Sequence, residues 1–381
     1  MNRVALKMLF GDAAKLLGLV FGMAFSTLLI SQQASMFIGV MQRTANLITE
    51  IREPNIWVMD PAIEQIDAVR PMRDTELGRV RGVPGVAWAV PFFKGQAVVT
   101  TETGGLQSSF VYGLDDVTLI GLPPEIILGD RESLRRPDAI AIDEAGYKKL
   151  WPTQPLTLGQ TLELNDRRAV VVAILRTAPP FQTQPLIYTR YSQALVFTNN
   201  GRNQLSFVLA RSAPDADPAA VAQAIEERTG LKAVTSDAFR WETMMYFLRH
   251  TGIPVNFGTV TLLGVIVGIA VVGLTFHMFV IENLKQYAAL KAMGLTNGRL
   301  IGMVLLQATI VGVIGYAIGL GLTSVFFEAA TSNPTSFFRG FYLPWQVAVG
   351  VGLLATAIML LSAIVSLRRV LVIDPAIVFR G

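Results

Sequence analysis

The sequence predicts a membrane α-helical fold with four transmembrane helices, both termini in the cytoplasm, and a large α+β extracytoplasmic domain inserted between the first helix and the second. Three observations carry this. The 381 residues are 52% hydrophobic and only 16% charged, with a net charge of +4, whereas soluble domains average about 25% charged. About 20 apolar residues in a helix cross a hydrocarbon core of about 30 Å, and four stretches meet that length, at 16–41, 253–281, 300–327 and 344–367. Ten Lys and Arg lie outside Gln42–Pro254, and nine of them flank the spans on one side. These are Arg3, Lys7 and Lys15 before the first span, Lys285, Lys291 and Arg299 between the second and third, and Arg368, Arg369 and Arg380 after the fourth. Clustered Lys and Arg in short loops mark the cytoplasmic face. Only Arg339 lies in the other short loop, 328–343.

The charge excess is too thin and too scattered for a nucleic-acid binder. The chain has no cysteine, which removes disulfides, thiolate metal sites and cysteine nucleophiles. No span contains a central Asp or Glu, a broken-helix pattern or an arginine series, which argues against a proton-coupled carrier and a voltage-gated channel.

Residues 1–15 fit a short interfacial helix, with Arg3 and Lys7 four apart and Leu6, Leu9 and Phe10 available to lipid. The apolar run at 16–41 follows basic residues but lacks an A-x-A-like cleavage site, so it reads as an uncleaved anchor rather than a signal peptide. It is polar for a span, containing Ser26, Thr27, Ser31, Gln32, Gln33 and Ser35. Such groups in hydrocarbon must find partners. Ser31, Gln32 and Gln33 therefore either face a substrate or lipid cavity or hydrogen-bond across helices. Small-residue pairs at Gly18 and Gly22, Gly264 and Gly268, and Gly315 and Gly319 allow close helix approach, within the chain or to a second copy. His277, without an acidic partner in any span, suits an interfacial hydrogen bond better than a proton relay.

The segment 42–252 alternates strand-like and helix-like stretches, with Val98–Thr101, Ser109–Tyr112 and Val170–Leu175 rich in β-branched or aromatic residues. Leu162-Glu163-Leu164, then Asn165-Asp166, then the Val170 run predict a hairpin. Asp217-Pro218 predicts a helix start and Gly230 its stop; Asp74 before Leu77 and Val80 predicts another helix ending near Gly82. The segment carries no H-E-x-x-H, no G-x-S-x-G and no calcium-loop spacing. The pairs Asp115-Asp116 and Asp143-Glu144 read as loop polarity and helix caps. A binding or docking surface fits better than an active site.

The inner loop 282–299 predicts a short helix from Glu282 that Gly294 stops, with Asn297 capping the next. Leu284, Tyr287 and Ala288 share one side, and Glu282, Lys285 and Gln286 the opposite one.

The strings ENLKQYAALKAMG at 282–294 and RRVLVIDPAIVFRG at 368–381 resemble the MacB/FtsX-like (type VII) permeases of ABC transporters, as do FVYGLD at 110–115, LGQTLEL at 158–164 and PLIYT at 185–189. The stretch YFLRHTGIPVNFG at 246–258 resembles the DevC-type exporter permeases. The resemblance implies that the inner loop is a coupling helix received by a separate ABC ATPase subunit, with Glu282, Lys285, Gln286, Tyr287, Leu290, Lys291, Met293 and Gly294 at the contact. No G-x-x-x-x-G-K-[ST] loop occurs in this sequence, so ATP and Mg belong to the partner and this chain is expected to bind no cofactor or metal and to catalyse nothing. The resemblance further implies two permease copies, two ATPases, and localisation in the inner membrane with the large domain in the periplasm. It implies as well a periplasmic membrane-fusion adaptor and an outer-membrane channel, which would complete an exporter of amphiphiles, glycolipids, peptides or drugs. Within the same family an FtsX-like scaffold regulating a periplasmic hydrolase, and a permease extracting lipoproteins or haem, remain alternatives.

Overall fold

The computed structural model describes residues 2–101, 104–199 and 204–371; the string at 372–381, with Arg380, lies outside them. The chain forms two compact units. One comprises Met1–Gly39, Gly252–Thr331 and Phe341–Gly381, and the other Val40–Thr251 with Ser332–Gly340. Of the short loop expected at 328–343 between the last two spans, Ser332–Gly340 groups with the outer unit.

The membrane unit opens with a short helix, Asn2–Phe10, whose Ala5, Met8 and Leu9 are buried. Four helices long and apolar enough to span follow: span one, Ala13–Thr44; span two, Ile253–Glu282; span three, Asn297–Thr331; and span four, Trp345–Leu371. Each begins before or continues beyond the apolar stretch read from the sequence, because helical hydrogen bonding does not stop where hydropathy does. Large apolar residues such as Leu17, Phe21, Leu274, Val325 and Leu353 are exposed on the bundle exterior, which in a bilayer meets lipid rather than water. Val272, Phe276, Phe279, Leu300, Met303 and Val304 fill the interior.

The outer unit is a single ten-stranded sheet with flanking helices. Its strands are β1 (Ile56–Met59), β2 (Val86–Thr100), β3 (Leu106–Leu114), β4 (Ile126–Gly129), β5 (Ala139–Asp143), β6 (Thr161–Leu164), β7 (Arg167–Leu175), β8 (Leu186–Arg190), β9 (Phe207–Ser212) and β10 (Lys232–Thr235). The order is β10-β1-β9-β2-β3-β8-β5-β7-β4, with β6 pairing β2 and β7. Strand β2 is 15 residues long. Its first half pairs antiparallel with β9, from Val86↔Ser212 to Phe92↔Phe207, and its second half with β3, from Phe93↔Gly113 to Thr100↔Leu106. β3 with β8, and β5 with β7, are parallel pairs inside this mixed sheet. One core centres on Trp57, whose ring lies 5.5 Å from Phe207 and 5.6 Å from Phe239. A second packs Tyr147 and Trp151 against Val171, Ile187 and Phe197.

The expected hairpin is β6–β7, and its turn residues Asn165 and Asp166 have φ of 45° and 64°. Two successive positive φ values are what a two-residue type I′ turn requires. The helix Pro218–Thr229 starts with Asp217 accepting from Ala219 N and ends at Gly230, φ 70°. The helix Thr75–Arg81 forms without a side-chain cap; Asp74 instead accepts a hydrogen bond from Tyr191 Oη at 3.0 Å.

Candidate functional site

The inner loop is organised by one residue at each end. Span two runs through Glu282, and Asn283 interrupts it by turning its side chain back, Nδ2 donating to Phe279 O at 2.7 Å. The loop helix proper is Leu284–Ala292. Glu282 therefore closes span two and does not begin the loop helix, as the sequence reading had it. Gly294 has φ +91°, and Leu295 N reaches back to Leu290 O at 3.2 Å, a left-handed stop that other residues adopt only with strain. The next helix begins at Asn297, the carbonyl of Thr296 accepting from Leu300 N; Asn297 is the first helical residue rather than the cap.

The loop helix has two unlike faces. Lys285, Gln286, Ala292, Met293 and Gly294 are exposed, and Met293 is 72% exposed. Tyr287 and Ala288 are wholly buried and Leu290 packs against the bundle core. Tyr287 and Leu290, expected at the partner contact, instead attach the helix to its own bundle, because their apolar surface is removed from water there. Lys291 is half-buried. Glu282 forms an ion pair with Lys15, which also pairs with Asp12, so this carboxylate is engaged within the chain.

Beneath the loop helix lies a polar chain that the sequence reading missed. Tyr287 Oη donates to Gln307 Oε1 at 2.8 Å, and Gln307 Nε2 donates to Ala5 O at 2.9 Å. All three residues are fully buried. Burial holds the Tyr287 phenol well above its ordinary pKa, so it stays neutral and donates. An amide with both its ends bonded can be buried at little cost, whereas one left unpaired costs about 1–3 kcal/mol. Three elements, the N-terminal helix, the loop helix and span three, thereby meet at one side chain. The signal for it lies in the sequence, where Gln307 is an amide within an apolar run.

The polar groups of span one turn inward. Ser26 Oγ donates to Gly264 O at 3.1 Å, and Ser31 Oγ lies 2.7 Å from both Thr27 O and Thr323 Oγ1. Ser31 is fully buried between spans one and three, so of the two readings open for it the interhelical bond is the observed one and a lipid-facing position is excluded. Gln32 and Gln33 are half-buried. His277 is half-buried, and its Nδ1 has no hydrogen-bond partner among the described residues.

All six glycines of the small-residue pairs pack inside the chain. A methyl on Gly22 would meet Val271 Cγ1 at 2.7 Å, and Gly18 faces Thr275 Cγ2. Gly264 faces Ile30, Gly268 faces Ser26, and Gly315 and Gly319 face Met23 and Thr27, with side-chain atoms at 2.5 and 2.7 Å. Span one thus approaches span two through glycines contributed by both helices, and span three through glycines of span three alone. Between spans three and four a groove of about 300 Å³ is lined by Ala308, Gly312, Tyr316, Gly352, Ala355 and Met359.

In the outer unit the acidic pairs do structural work. Asp115 Oδ2 accepts from Thr118 N and Oγ1, both at 2.8 Å, and Asp116 accepts from Ser192 N. Asp143 caps the helix Glu144–Leu150 through Gly146 N, and Glu144 binds Lys148 at 2.9 Å.

The sequence matches two family profiles, the MacB-like periplasmic core domain over residues 14–228 and the FtsX-like permease C-terminal region over residues 258–375. A protein described as an uncharacterized ABC transporter permease of Mycobacterium tuberculosis is 24% identical over 375 residues, covering 96% of this chain and 93% of its own length. Another of the same description, from Mycobacterium bovis, is 24% identical over 322 residues, covering 82% and 80%. Among solved structures, the periplasmic region of MacB from Actinobacillus actinomycetemcomitans matches 54% of this chain and 97% of its own at 13% identity and TM-score 0.39. The extracellular domain of the transporter YknZ matches 48% and 98% at 14% identity and TM-score 0.35.

Proposed function

We propose that this chain, which belongs to the MacB/FtsX-like family of ABC transporter permeases, is the membrane subunit of an exporter and transmits the motion of a separate ATPase to its outer domain. One observation carries the reading. The inner-loop helix is fixed to the bundle by Tyr287, Ala288 and Leu290 while Lys285, Gln286 and Met293 stay exposed on it. A helix rigidly attached on one side and free on the other passes a push into the spans instead of absorbing it. Moving a two-state element from about 1:99 to 99:1 takes about 5.5 kcal/mol of differential binding, which the ATPase supplies by contacting the two permease states unequally.

In this reading two copies pair above two ATPases in the inner membrane, ATP and Mg bind the partner, and residues 42–252 stand in the periplasm. The apolar bundle exterior and the MacB-like profile of the outer unit support that placement. The cargo class is an amphiphile, glycolipid, peptide or drug, delivered as in DevC-type systems to a membrane-fusion adaptor and an outer-membrane channel. Co-reconstitution with the ATPase tests the proposal. Lys285→Glu with Lys291→Glu is expected to abolish permease-dependent ATP turnover while assembly of the four spans persists. Unchanged turnover in that variant removes the inner loop from the contact. Cargo-independent activation of a cell-wall hydrolase would favour the scaffold alternative.

A further inference from the structure

The loop between spans three and four belongs to the outer unit, and the bonds that hold it there are concentrated on two arginines. Arg43, on the last turn of the span-one helix, donates through Nη2 to Phe337 O at 2.5 Å and Arg339 O at 2.6 Å, with its guanidinium 5.0 Å from the centroid of the Phe337 ring. Arg339 donates to Thr177 O at 3.2 Å and lies 3.8 Å from Asp143 Oδ2. Asp143 is itself fixed, its Oδ1 accepting from Gly146 N at 3.1 Å and Leu186 N at 2.8 Å. The strip that receives the loop is pinned from the same helical segment: Glu50 Oε1 accepts from Ala178 N at 2.8 Å and Asn46 Nδ2 donates to Pro179 O at 2.8 Å. Gly340, φ +79°, lies against the Pro179 ring, which a Cβ there would meet at 3.4 Å. A cavity of about 120 Å³ remains between Asp143, Lys149, Gln184, Pro334 and Arg339.

A solvated connector leaves its carbonyls and its cation to water. This one gives up two carbonyls and a guanidinium to the domain, and Arg43, Asp143 and the Arg339 side chain are 4%, 1% and 15% exposed. Charges taken out of water are tolerated only while their partners stay in place, so the loop is built to remain docked. By chain continuity it carries the outer ends of spans three and four, and Arg43 carries that of span one. We infer that Ser332–Gly340 is a second attachment through which the spans move the outer domain, with Arg43 and Arg339 as its positioning residues. The inference rests on the reading of this chain as a transmitter of ATP-driven motion.

The chain is free of cysteine, so Leu106 and Val255, 75% and 71% exposed, can be replaced by cysteine and labelled with a donor and acceptor dye in the permease reconstituted with its ATPase. ATP is expected to change their separation in the wild type. Arg339→Gln and Arg43→Gln lose that change while ATP hydrolysis persists, and Arg339→Lys restores part of it, which a role in folding alone does not predict. Four-residue Gly-Ser insertions placed together, between Thr331 and Ser332 and between Gly340 and Phe341, break none of these bonds and add only slack on both sides of the loop, so that variant decides the matter if the arginine variants fail to fold. It too is expected to lose the change. An undiminished change in the insertion variant overturns the inference alone. No change in the wild type overturns the functional reading and the inference with it.

Discussion

Two short loops of this protein are fastened in opposite ways. The buried bonds of the inner one are neutral, Tyr287 to Gln307 to the Ala5 carbonyl, its ion pair of Glu282 with Lys15 being exposed to solvent, and the outer one is held by buried ions, Arg43 and Arg339 with Asp143 and Glu50 nearby. Neutral hydrogen bonds between a phenol, an amide and a carbonyl are indifferent to pH and salt over the physiological range. A buried cluster of guanidinium and carboxylate groups is not, because each charge depends on its neighbour's protonation. The buried part of the inner attachment is therefore constant, and the outer one can be tuned by its surroundings.

The largest expected effect is at the outer loop. Arg339→Ala leaves the Asp143 carboxylate buried without its ion partner and should cost the outer unit about 3 kcal/mol. Tryptophan fluorescence during denaturation reads this selectively, because four of the five tryptophans lie in the outer unit. At the inner loop, Gln307→Leu strands the Tyr287 hydroxyl and the Ala5 carbonyl and should cost about 2 kcal/mol. Tyr287→Phe removes one bond and should cost about 1 kcal/mol. Loss of fit at the inner loop is best followed by protease access to the N-terminal helix. A larger effect at Gln307 than at Arg339 would invert the comparison.

The pH response sharpens it further. Burial raises Glu50 to about 7 and Asp143 to about 6, against ordinary values near 4. The folded chain therefore binds protons that the unfolded chain has released, and its stability falls as pH rises from about 4 through 7, by at most about 1.4 kcal/mol per pH unit for each proton. Glu50→Gln should flatten that slope in a pH series of denaturation midpoints. The protease access that reports the inner loop should not change over the same range. The most local effect is at the stop of the loop helix: Gly294→Val forces a β-branched residue to φ +91° and should cost about 1–2 kcal/mol. It should raise exchange of the Leu295 amide without altering the outer unit.

Much of the architecture was legible because bilayer physics writes long, uniform signals. Four apolar stretches and the placement of nine basic residues give the spans, and the hairpin at Asn165-Asp166 and the helix from Asp217 carry their own turn and cap chemistry. What stayed illegible depends on distant partners. Strand β1, Ile56–Met59, is buried on both faces, so it shows no alternation from which to recognise it. Gln307, Arg43 and Arg339 are single polar residues, and their partners lie 20 to 302 positions away. Tyr287 was placed on the right side of its helix but given to the partner, because periodicity says which residues share a face and not what that face meets. Ser31 shows the same gap.

Strand β2 runs for 15 residues and belongs to two pairings in succession, β9 along its first half and β3 along its second. At about 3.3 Å per residue it is a continuous rod about 50 Å long. The part of the sheet near Trp57 and the part near Trp151 are joined through that one strand. The two pairings therefore cannot be separated without breaking a single strand.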